Sequence, residues 1–256
     1  MIIIKNKFDI KKMIEVGKLT ANVLDMIKKY IVPGINTNEI NDICQDYIVK
    51  KQKLISACLG YKGYPKSTCI SVNDVVCHGI PNKKTILKKG DILNIDISLI
   101  KDGYFGDSSK MFIVEKCSNI AKKLCQITLK SLYSAIKIIK PGIRIGKIGK
   151  VIEKIAKKNR FSVVREYCGH GIGKNFHEKP YILHYKSKNK GIYLKEGMIF
   201  TIEPMINVGK RNIFCDKDKW TVRTKDKSLS AQYEHTILVT KNGYKVLTLR
   251  KNEKIK

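Results

Sequence analysis

The sequence lacks any long apolar run. No stretch approaches the ~20 apolar residues that a membrane-spanning helix needs. The first residues, 1–5, are apolar for only four positions before Lys5, which is too short for the hydrophobic region of a signal peptide. These features predict a cytoplasmic protein that does not associate with membranes.

Paired cysteine motifs are also missing. The 256 residues include eight cysteines, and no two of them form a Cys-x-x-Cys pair. A chain of this length buries a large core without covalent cross-links, so we expect reduced thiols, some of them packed as small apolar side chains. Reduced cysteines are consistent with the cytoplasm.

Arginine is scarce although the chain is strongly basic. The net charge is +29, yet only six of the 51 basic residues are arginines, and the lysines are spread over the whole chain. One interpretation is a surface that attracts nucleic acid. The other is compositional drift towards lysine, which we favour because nucleic-acid readers use arginine for bidentate contacts. We therefore expect no sequence-specific nucleic-acid binding, with transient ribosome association as a by-product of the charge.

Helical patterns occur at the start of the chain. Apolar residues between Ile10 and Ile27 recur at helical spacing, and Pro33-Gly34 ends that segment. Thr37 or Asn38 is expected to cap a second helix, whose apolar residues lie between positions 40 and 48.

The same order returns about 108 residues later. A second helical stripe, 121–139, ends at Pro141-Gly142 and is followed by a helix over 148–156. A strand pattern containing Asp96 is likewise repeated in the pattern containing Glu203. The repeat predicts an α+β protein, a single catalytic domain over 1–256 with helices outside a shared sheet. Its two related αα-β halves would span about 8–114 and 118–240.

A hairpin carries two of the chemically important carboxylates. The segment around Asp96 alternates polar and apolar residues, as a strand with one polar face does. Asp102-Gly103 predicts a two-residue turn, and the returning strand contains Asp107. In that register Asp96 and Asp107 lie on one face, directly opposite or on a diagonal. Two carboxylates so placed repel each other unless a cation lies between them.

Three further residues join this pair. Glu203 and Glu234 each interrupt an apolar strand pattern, and buried carboxylates are costly without a partner. His170 lies between glycines in Gly169-His170-Gly171, where the backbone can approach a ligand closely. Four carboxylates and one imidazole form a hard, oxygen-rich donor set that suits two divalent cations. The residues alone thus predict a hydrolase with a two-metal centre.

The motifs that contain these residues resemble one family, type I methionine aminopeptidase. They are Cys77-His78-Gly79-Ile80-Pro81, Asn94-Ile95-Asp96, Gly106-Asp107, Gly169-His170-Gly171-Ile172-Gly173, Thr201-Ile202-Glu203-Pro204 and Tyr233-Glu234-His235-Thr236. The resemblance extends over nearly the whole chain. It implies the pita-bread fold of aminopeptidases and creatinase, with two pseudo-symmetric αα-β halves around a curved antiparallel sheet.

The resemblance also implies a role for each site residue. Asp96 would bind one metal, Asp107 and Glu234 would bridge two, and His170 and Glu203 would complete the second site. Glu203 would be the general base, His78 would lie near the scissile amide nitrogen, and His177 would hydrogen-bond the substrate carbonyl. The methionine pocket would be lined by Cys58, Tyr61, Tyr64, Cys69, Phe176 and Trp220. Asn73, Val75 and Ser230 match a site for a monovalent cation, Na or K.

The implied activity is removal of the N-terminal methionine from nascent proteins whose second residue is small, by a monomeric enzyme. Its metal ions would be Fe, Mn, Co or Zn, since carboxylate-rich sites accept all four. One alternative is a related aminopeptidase that cleaves next to proline. The other is a non-catalytic relative that binds ribosome or RNA through its basic surface. Retention of all five ligands favours the enzyme.

Overall fold

The computed structural model describes residues 2–255. Its four α-helices are α1 (Lys7–Ile27), α2 (Thr37–Asp46), α3 (Asn119–Lys137) and α4 (Gly146–Lys158). The strands of the first half are β1 (Ile55–Ser56), β2 (Cys69–Val72), β3 (Val75–Cys77), β4 (Ile92–Lys101) and β5 (Tyr104–Ile113). Those that follow are β6 (Ser162–Val163), β7 (Gly169–Gly171), β8 (Glu178–Ile182), β9 (Ile199–Ile202), β10 (Met205–Asn207), β11 (Ile213–Cys215), β12 (Val222–Thr224), β13 (Ser230–Gln232), β14 (His235–Thr240) and β15 (Gly243–Val246).

Side-chain caps fix where the helices begin. In α1, the Asn6 side chain accepts from the Asp9 amide while the Asp9 side chain accepts from the Asn6 amide, a complete capping box. Asn36 and Glu39 form the same box at α2. The prediction that Thr37 or Asn38 caps α2 was therefore wrong by one or two residues, because Asn36 has the extended backbone that a cap requires.

The helices pack on the outside of the strands, as the α+β prediction requires. Leu24 and Ile27 of α1 belong to one apolar cluster with Ile95 and Ile97 of β4. A second cluster joins α3 and α4 to the later strands, with Phe200 fully buried. The order of two helices followed by strands thus occurs twice, while the exact bounds of the two halves stay a prediction. Within residues 2–255, no helix combines the length and apolarity needed to cross a membrane.

The strands form four hydrogen-bonded sheets rather than one continuous sheet. The two largest contain β1, β4, β2 and β5, and β15, β14, β9, β7 and β8. Two three-stranded sheets have the orders β13-β10-β6 and β11-β12-β3. The largest sheets meet where the Glu234 amide donates to the carbonyl of Ser109 in β5, 3.0 Å away. The curved surface is therefore assembled from pieces that meet beside the predicted ligands.

Glu203 and Glu234 lie between strands, not within continuous strands as the sequence suggested. Glu203 follows β9 and precedes β10, while Glu234 follows β13 and precedes β14. β9 pairs with β14 in the five-stranded sheet, whereas β10 pairs with β13 in a three-stranded sheet. Both glutamates therefore lie where the chain crosses from one sheet to another, and these breaks in pairing face each other.

Candidate metal centre and substrate cavity

One cavity of about 430 Å³ collects every residue predicted for the metal centre and the substrate pocket. Its walls include the five predicted ligands Asp96, Asp107, His170, Glu203 and Glu234. They also include Cys58, Tyr61, Tyr64, Cys69, His78, Phe176, His177 and Trp220. Residues more than a hundred positions apart in sequence are thus brought to one place by the packing of the sheets.

The β4–β5 hairpin places its two aspartates on a diagonal. Asp96 is opposite Ser109 and Asp107 is opposite Ser98, with Asp102 and Gly103 as the two-residue turn. The side chains at 96 and 98 point to the same face because strand side chains alternate. Of the two arrangements that the sequence left open, directly opposite and diagonal, the hairpin has the diagonal one.

The remaining ligands converge on Asp107. Donor atoms of Asp107, His170 and Glu234 all lie within 4.8 Å of one another. The Nε2 atom of His170 is 3.6 Å from Asp107 Oδ2 and 3.6 Å from Glu203 Oε1. The Nδ1 atom of His170 is 3.0 Å from the carbonyl oxygen of Gly171, to which it donates. That bond leaves the lone pair of Nε2 directed at the carboxylates, the tautomer that a metal-binding histidine needs.

Two oxygens of the cluster have no hydrogen-bond partner among residues 2–255. They are Asp96 Oδ1 and Glu234 Oε1, and both are buried. An unpartnered buried carboxylate oxygen costs free energy, and a bound cation removes that cost. The donor set of carboxylates with one imidazole fits divalent metal ions.

Charge repulsion in the cluster appears in its pKa values. Burial, reinforced by the neighbouring Asp107 carboxylate, raises the pKa of Asp96 and of Glu234 well above the usual range. Burial also raises the pKa of Glu203 to about 7. Burial opposes a charged imidazole at His170, but the adjacent Asp107 and Glu203 outweigh it and raise the His170 pKa. Negative charge is concentrated here beyond what the one imidazole compensates.

Known proteins are similar in sequence to this chain over nearly its whole length. The profile described as metallopeptidase family M24 matches residues 11–241. The chain belongs to metallopeptidase family M24. It is 61% identical over 253 residues to the methionine aminopeptidase of Buchnera aphidicola from Acyrthosiphon pisum, covering 99% of this chain and 96% of that protein. Identity to the methionine aminopeptidase of Escherichia coli K12 is 58% over 252 residues, 98% of this chain and 96% of that protein.

A solved structure extends the comparison to the fold. The methionine aminopeptidase of Rickettsia prowazekii superposes with a TM-score of 0.94 at 49% identity, covering 97% of this chain and 100% of that one. The pita-bread fold predicted from the resemblance is therefore confirmed. As an M24 metallopeptidase, the chain uses divalent metal, and the cluster around Asp107 is the candidate site.

An apolar slot lies beside the candidate metal centre of this M24 protein. Cys58, Tyr64 and Cys69 are buried together, and Phe176 and Trp220 pack against them. The Tyr64 hydroxyl donates to the carbonyl oxygens of Thr68 and Gly79, at 3.1 and 3.0 Å. Since that hydroxyl is satisfied outside the slot, the ring offers the cavity an apolar surface.

Two histidines border the space between the slot and the carboxylates. The His177 ring lies 4.2 Å from the His170 ring, centroid to centroid, and its Nδ1 is 3.0 Å from the Tyr61 hydroxyl. Burial and the nearby His170 lower the His177 pKa to about 4. His78 follows β3 with φ of 54°, a left-handed backbone, and burial lowers its pKa. Both imidazoles are therefore neutral near pH 7.

Several polar residues that hydrogen-bond to the predicted ligands were not predicted from the sequence. The Thr201 hydroxyl donates to Glu203 Oε1 at 2.8 Å and accepts from the His170 amide at 3.0 Å. Ser98 donates to Asp107 Oδ1 at 2.8 Å. Strand alternation could have identified both, because each lies two positions from a predicted carboxylate. His184 accepts from the Glu203 amide at 3.2 Å, and no sequence pattern indicated it.

The residues predicted for a monovalent cation lie outside this cavity. The Ser230 amide donates to the carbonyl oxygen of Asn73 at 2.9 Å, which brings these two residues together. The Ser230 hydroxyl is buried and has no hydrogen-bond partner within residues 2–255. Val75 begins β3, two residues after Asn73, and Asn73 has a left-handed backbone with φ of 54°.

Proposed function

We propose that this M24 metallopeptidase removes the N-terminal methionine from proteins whose second residue is small, hydrolysing the first peptide bond. The observation that carries the proposal is the junction of an apolar, sulfur-containing slot with a cluster of four carboxylates in one cavity. The slot suits a thioether side chain. The matched relatives named methionine aminopeptidase support the same substrate.

The ligands proposed for two divalent ions are Asp96, Asp107, His170, Glu203 and Glu234. Their unpartnered oxygens and elevated carboxyl pKa values fit such ions. When bound, divalent ions lower the pKa of water and polarise a carbonyl group, which supplies the nucleophile and Lewis acidity for amide hydrolysis. We propose Fe, Mn, Co or Zn as the metal, with availability deciding among them.

Glu203 is proposed as the general base. Its carboxylate lies in the cavity beside the other proposed ligands, where it would take the proton from the attacking water and later deliver it to the leaving amine nitrogen. Thr201 donates to Oε1 at 2.8 Å, and the Gln232 amide donates to Oε2 at 3.3 Å. These bonds hold the carboxylate in one orientation while it exchanges the proton.

His177 and His78 are proposed to contact the scissile amide. If the Tyr61 hydroxyl donates to His177 Nδ1, the neutral ring carries its proton on Nε2. That N–H would donate to the substrate carbonyl oxygen as negative charge develops there. His78 would lie near the amide nitrogen, and its ring is held edge-on to Tyr167 and Trp220 at centroid distances of 5.3 and 6.1 Å.

The methionine side chain is proposed to contact Cys58, Tyr61, Tyr64, Cys69, Phe176 and Trp220. Edge-to-face packing of Tyr64 on Trp220, with centroids 5.1 Å apart, and of Tyr61 on Phe176, 5.0 Å apart, gives the slot defined walls. We further propose that the cluster at Asn73, Val75 and Ser230 binds Na or K, supported by the unpartnered Ser230 hydroxyl.

We propose that the chain acts as one catalytic domain, a cytoplasmic monomer that meets nascent peptides and associates transiently with ribosomes. The charge of +29 supports attraction to a polyanion. The substrate cavity draws residues from both predicted halves, which supports one catalytic unit.

Release of methionine from Met-Ala-Ser tests the function. We expect release by the purified protein with Mn(II) or Co(II), little release after chelation, and little from a Glu203→Ala variant. Cleavage of peptides with proline in second position, without release from Met-Ala-Ser, would instead support the proline-type alternative. Absence of metal-dependent methionine release would refute the proposal and leave the non-catalytic alternative.

A further inference from the structure

The segment before α1 packs against two glycines, Gly197 and Gly173, and Gly173 begins the turn that leads to His177. The Lys5 amide donates to the carbonyl of Gly197 at 2.9 Å. A methyl group added at Gly197 would come within 2.9 Å of the Lys5 carbonyl oxygen, and one added at Gly173 would come within 2.4 Å of Lys5 Nζ. Glycine at both positions therefore makes room for this lysine.

Lys5 forms a buried ion pair with the residue after His177. Its Nζ lies 2.5 Å from Glu178 Oε2, and the two side chains are 4% and 5% exposed. Lysine is almost never fully buried unless it is paired, because removing its ammonium group from water is costly. Most lysines of this chain are exposed to solvent, whereas the ammonium group of Lys5 is buried and therefore needs the Glu178 carboxylate.

Glu178 transmits this anchoring to the turn that carries His177. Its second oxygen, Oε1, accepts from the Asn175 amide at 3.2 Å. The Gly173 amide donates to the Asn175 carbonyl at 3.2 Å, and the Gly173 carbonyl accepts from Phe105 in β5 at 2.9 Å. The turn over 173–177 is therefore held by backbone hydrogen bonds and, at its base, by one carboxylate, whose charge Lys5 neutralises.

Among residues 2–255, the His177 ring has a single hydrogen-bond partner. That partner is the Tyr61 hydroxyl at 3.0 Å, on the cavity side. His177 is exposed at the cavity mouth and its ring packs against the rings of Tyr61, His170 and Phe176, so the backbone just before Glu178 decides where that ring enters the cavity. We propose that Lys5 is a positioning residue for His177, acting through Glu178 and the 173–177 turn; this rests on the function proposed above.

The test is a double-mutant cycle between Lys5 and His177. The variants are Lys5→Met, His177→Ala, the double variant, and Lys7→Met as a matched control, since Lys7 is exposed two residues away. Steady-state methionine release from Met-Ala-Ser is measured with Mn(II) present. All variants are assayed at one temperature, chosen well below the lowest of their melting temperatures, so that every variant is folded and the kcat values can be compared.

We expect Lys5→Met to lower kcat about ten- to a hundredfold with KM changed less than about twofold, as a small misplacement of a working group does. His177→Ala should lower kcat about a hundredfold or more. Lys5→Met should then cause no further loss in the His177→Ala background, while Lys7→Met should match the wild type. A purely structural role for Lys5 predicts equal losses in both backgrounds.

Equal losses in the two backgrounds, or a folded Lys5→Met variant with wild-type kcat, would overturn the inference while leaving the proposed function intact. A wild-type protein that releases no methionine would instead overturn the proposed function. If Lys5→Met does not fold, Glu178→Gln replaces it in the same cycle, because the amide keeps the side-chain volume and one acceptor oxygen. The same criteria then apply to that variant.

Discussion

Two neighbouring clusters of charged side chains lie in the interior of this molecule, and they differ in how completely their polar atoms are hydrogen-bonded. The ligand cluster around Asp107 leaves Asp96 Oδ1 and Glu234 Oε1 without partners within residues 2–255. In the C-terminal cluster, formed by Arg250, Glu253 and His235, the hydrogen-bond donors of the arginine are paired. We call it the closed cluster, and the ligand cluster around Asp107 the open cluster. All five N–H donors of the Arg250 guanidinium are used, by Glu253, His235, Ser108 and Ser109.

The two clusters share backbone but have opposite requirements. Ser108 accepts from Arg250 at 3.1 Å and donates to the Glu234 carbonyl at 2.8 Å, so one hydroxyl joins them. Burial and Arg250 lower the pKa of His235 to about 4, although His235 directly follows a predicted ligand. Completed hydrogen bonding marks a structural network, whereas unsatisfied carboxylates mark a site that needs a ligand. Mutations in the two clusters should therefore have opposite effects on activity and on stability.

The largest expected effect is on catalysis, from Glu203→Gln. Loss of the general base should lower kcat/KM for Met-Ala-Ser by about 10²- to 10⁴-fold. The metal-free melting temperature should not fall, because glutamine keeps the side-chain volume and removes the burial cost that raises the pKa of the Glu203 carboxyl group. The unpartnered Gln232 oxygen can accept from the new amide after a side-chain flip. Peptide assays and thermal unfolding check this, and activity within tenfold of the wild type would contradict it.

Arg250→Met should have the opposite pattern. Removing the guanidinium leaves the partly buried Glu253 without its main partner, which costs up to about 3–5 kcal/mol, the range for a fully buried pair. For a chain of this length the melting temperature should fall by roughly 10 °C. Methionine release per folded molecule should stay within about tenfold. Lys251→Met, at the exposed neighbouring position, is the matched control. An activity loss as large as that of Glu203→Gln would show that the two clusters are not separable.

The sign of the pH dependence should also separate the clusters. The Glu203 pKa is raised to about 7 in the metal-free protein, so the folded state holds a proton there between about 4.5 and 7 that the unfolded chain releases. A metal ion that binds Glu203 must displace that proton. Below the pKa, this weakens the free energy of metal binding by about 1.4 kcal/mol per pH unit for each proton displaced. The increase in melting temperature caused by Mn(II) should therefore be small at pH 5.5 and larger at pH 7.5.

Histidines complicate the absolute melting curves but not this difference. Burial lowers the pKa of His184 to about 3 and that of His235 to about 4, so each stabilises the fold as pH rises through the window above those values. The difference between melting temperatures with and without Mn(II), taken at each pH, therefore reports on metal binding better than either melting curve alone. A Mn(II) effect that is constant from pH 5.5 to 7.5 would contradict the assignment, and Glu203→Gln should weaken the pH dependence.

Sequence periodicity was sufficient where the chain is locally regular. Alternation in β4 and the Asp102-Gly103 turn fixed which face carries Asp96 and Asp107. It was insufficient where strands change partners. Glu203 and Glu234 were expected inside strands, because apolar residues flank each of them, but both lie at crossings between sheets. Which strands pair is decided by tertiary packing, which a single strand's pattern does not encode.

Long-range polar contacts could not be inferred for the same reason. Lys5 is one lysine among many, and only the packing of 2–6 against Gly173 and Gly197 shows that it is buried. The closed cluster at Arg250 likewise joins positions 108, 235 and 253 across separate elements. Motif resemblance indicated the residues proposed for the reaction centre, whereas the residues that hold them in place are brought together only by the three-dimensional fold.

Thr201 provides the smallest and most discriminating prediction, because it belongs to the open cluster without being a ligand. Its hydroxyl accepts from the His170 amide and donates to Glu203 Oε1, so one atom orients two predicted ligands. Thr201→Val keeps the shape and removes both bonds. Loss of such a supporting bond typically costs 10- to 100-fold in metal affinity or activity. We expect a change of that size in Mn(II) affinity measured by calorimetry.

The matched control is Thr128→Val, a buried hydroxyl that bonds only the Leu124 carbonyl within its own helix α3. Both variants lose a buried hydroxyl, so both should lower the melting temperature by a similar few degrees. Only Thr201→Val should weaken Mn(II) binding. Equal Mn(II) affinity in the two variants would mean that His170 and Glu203 are held by the strand backbone alone, and that the open cluster needs no hydroxyl support.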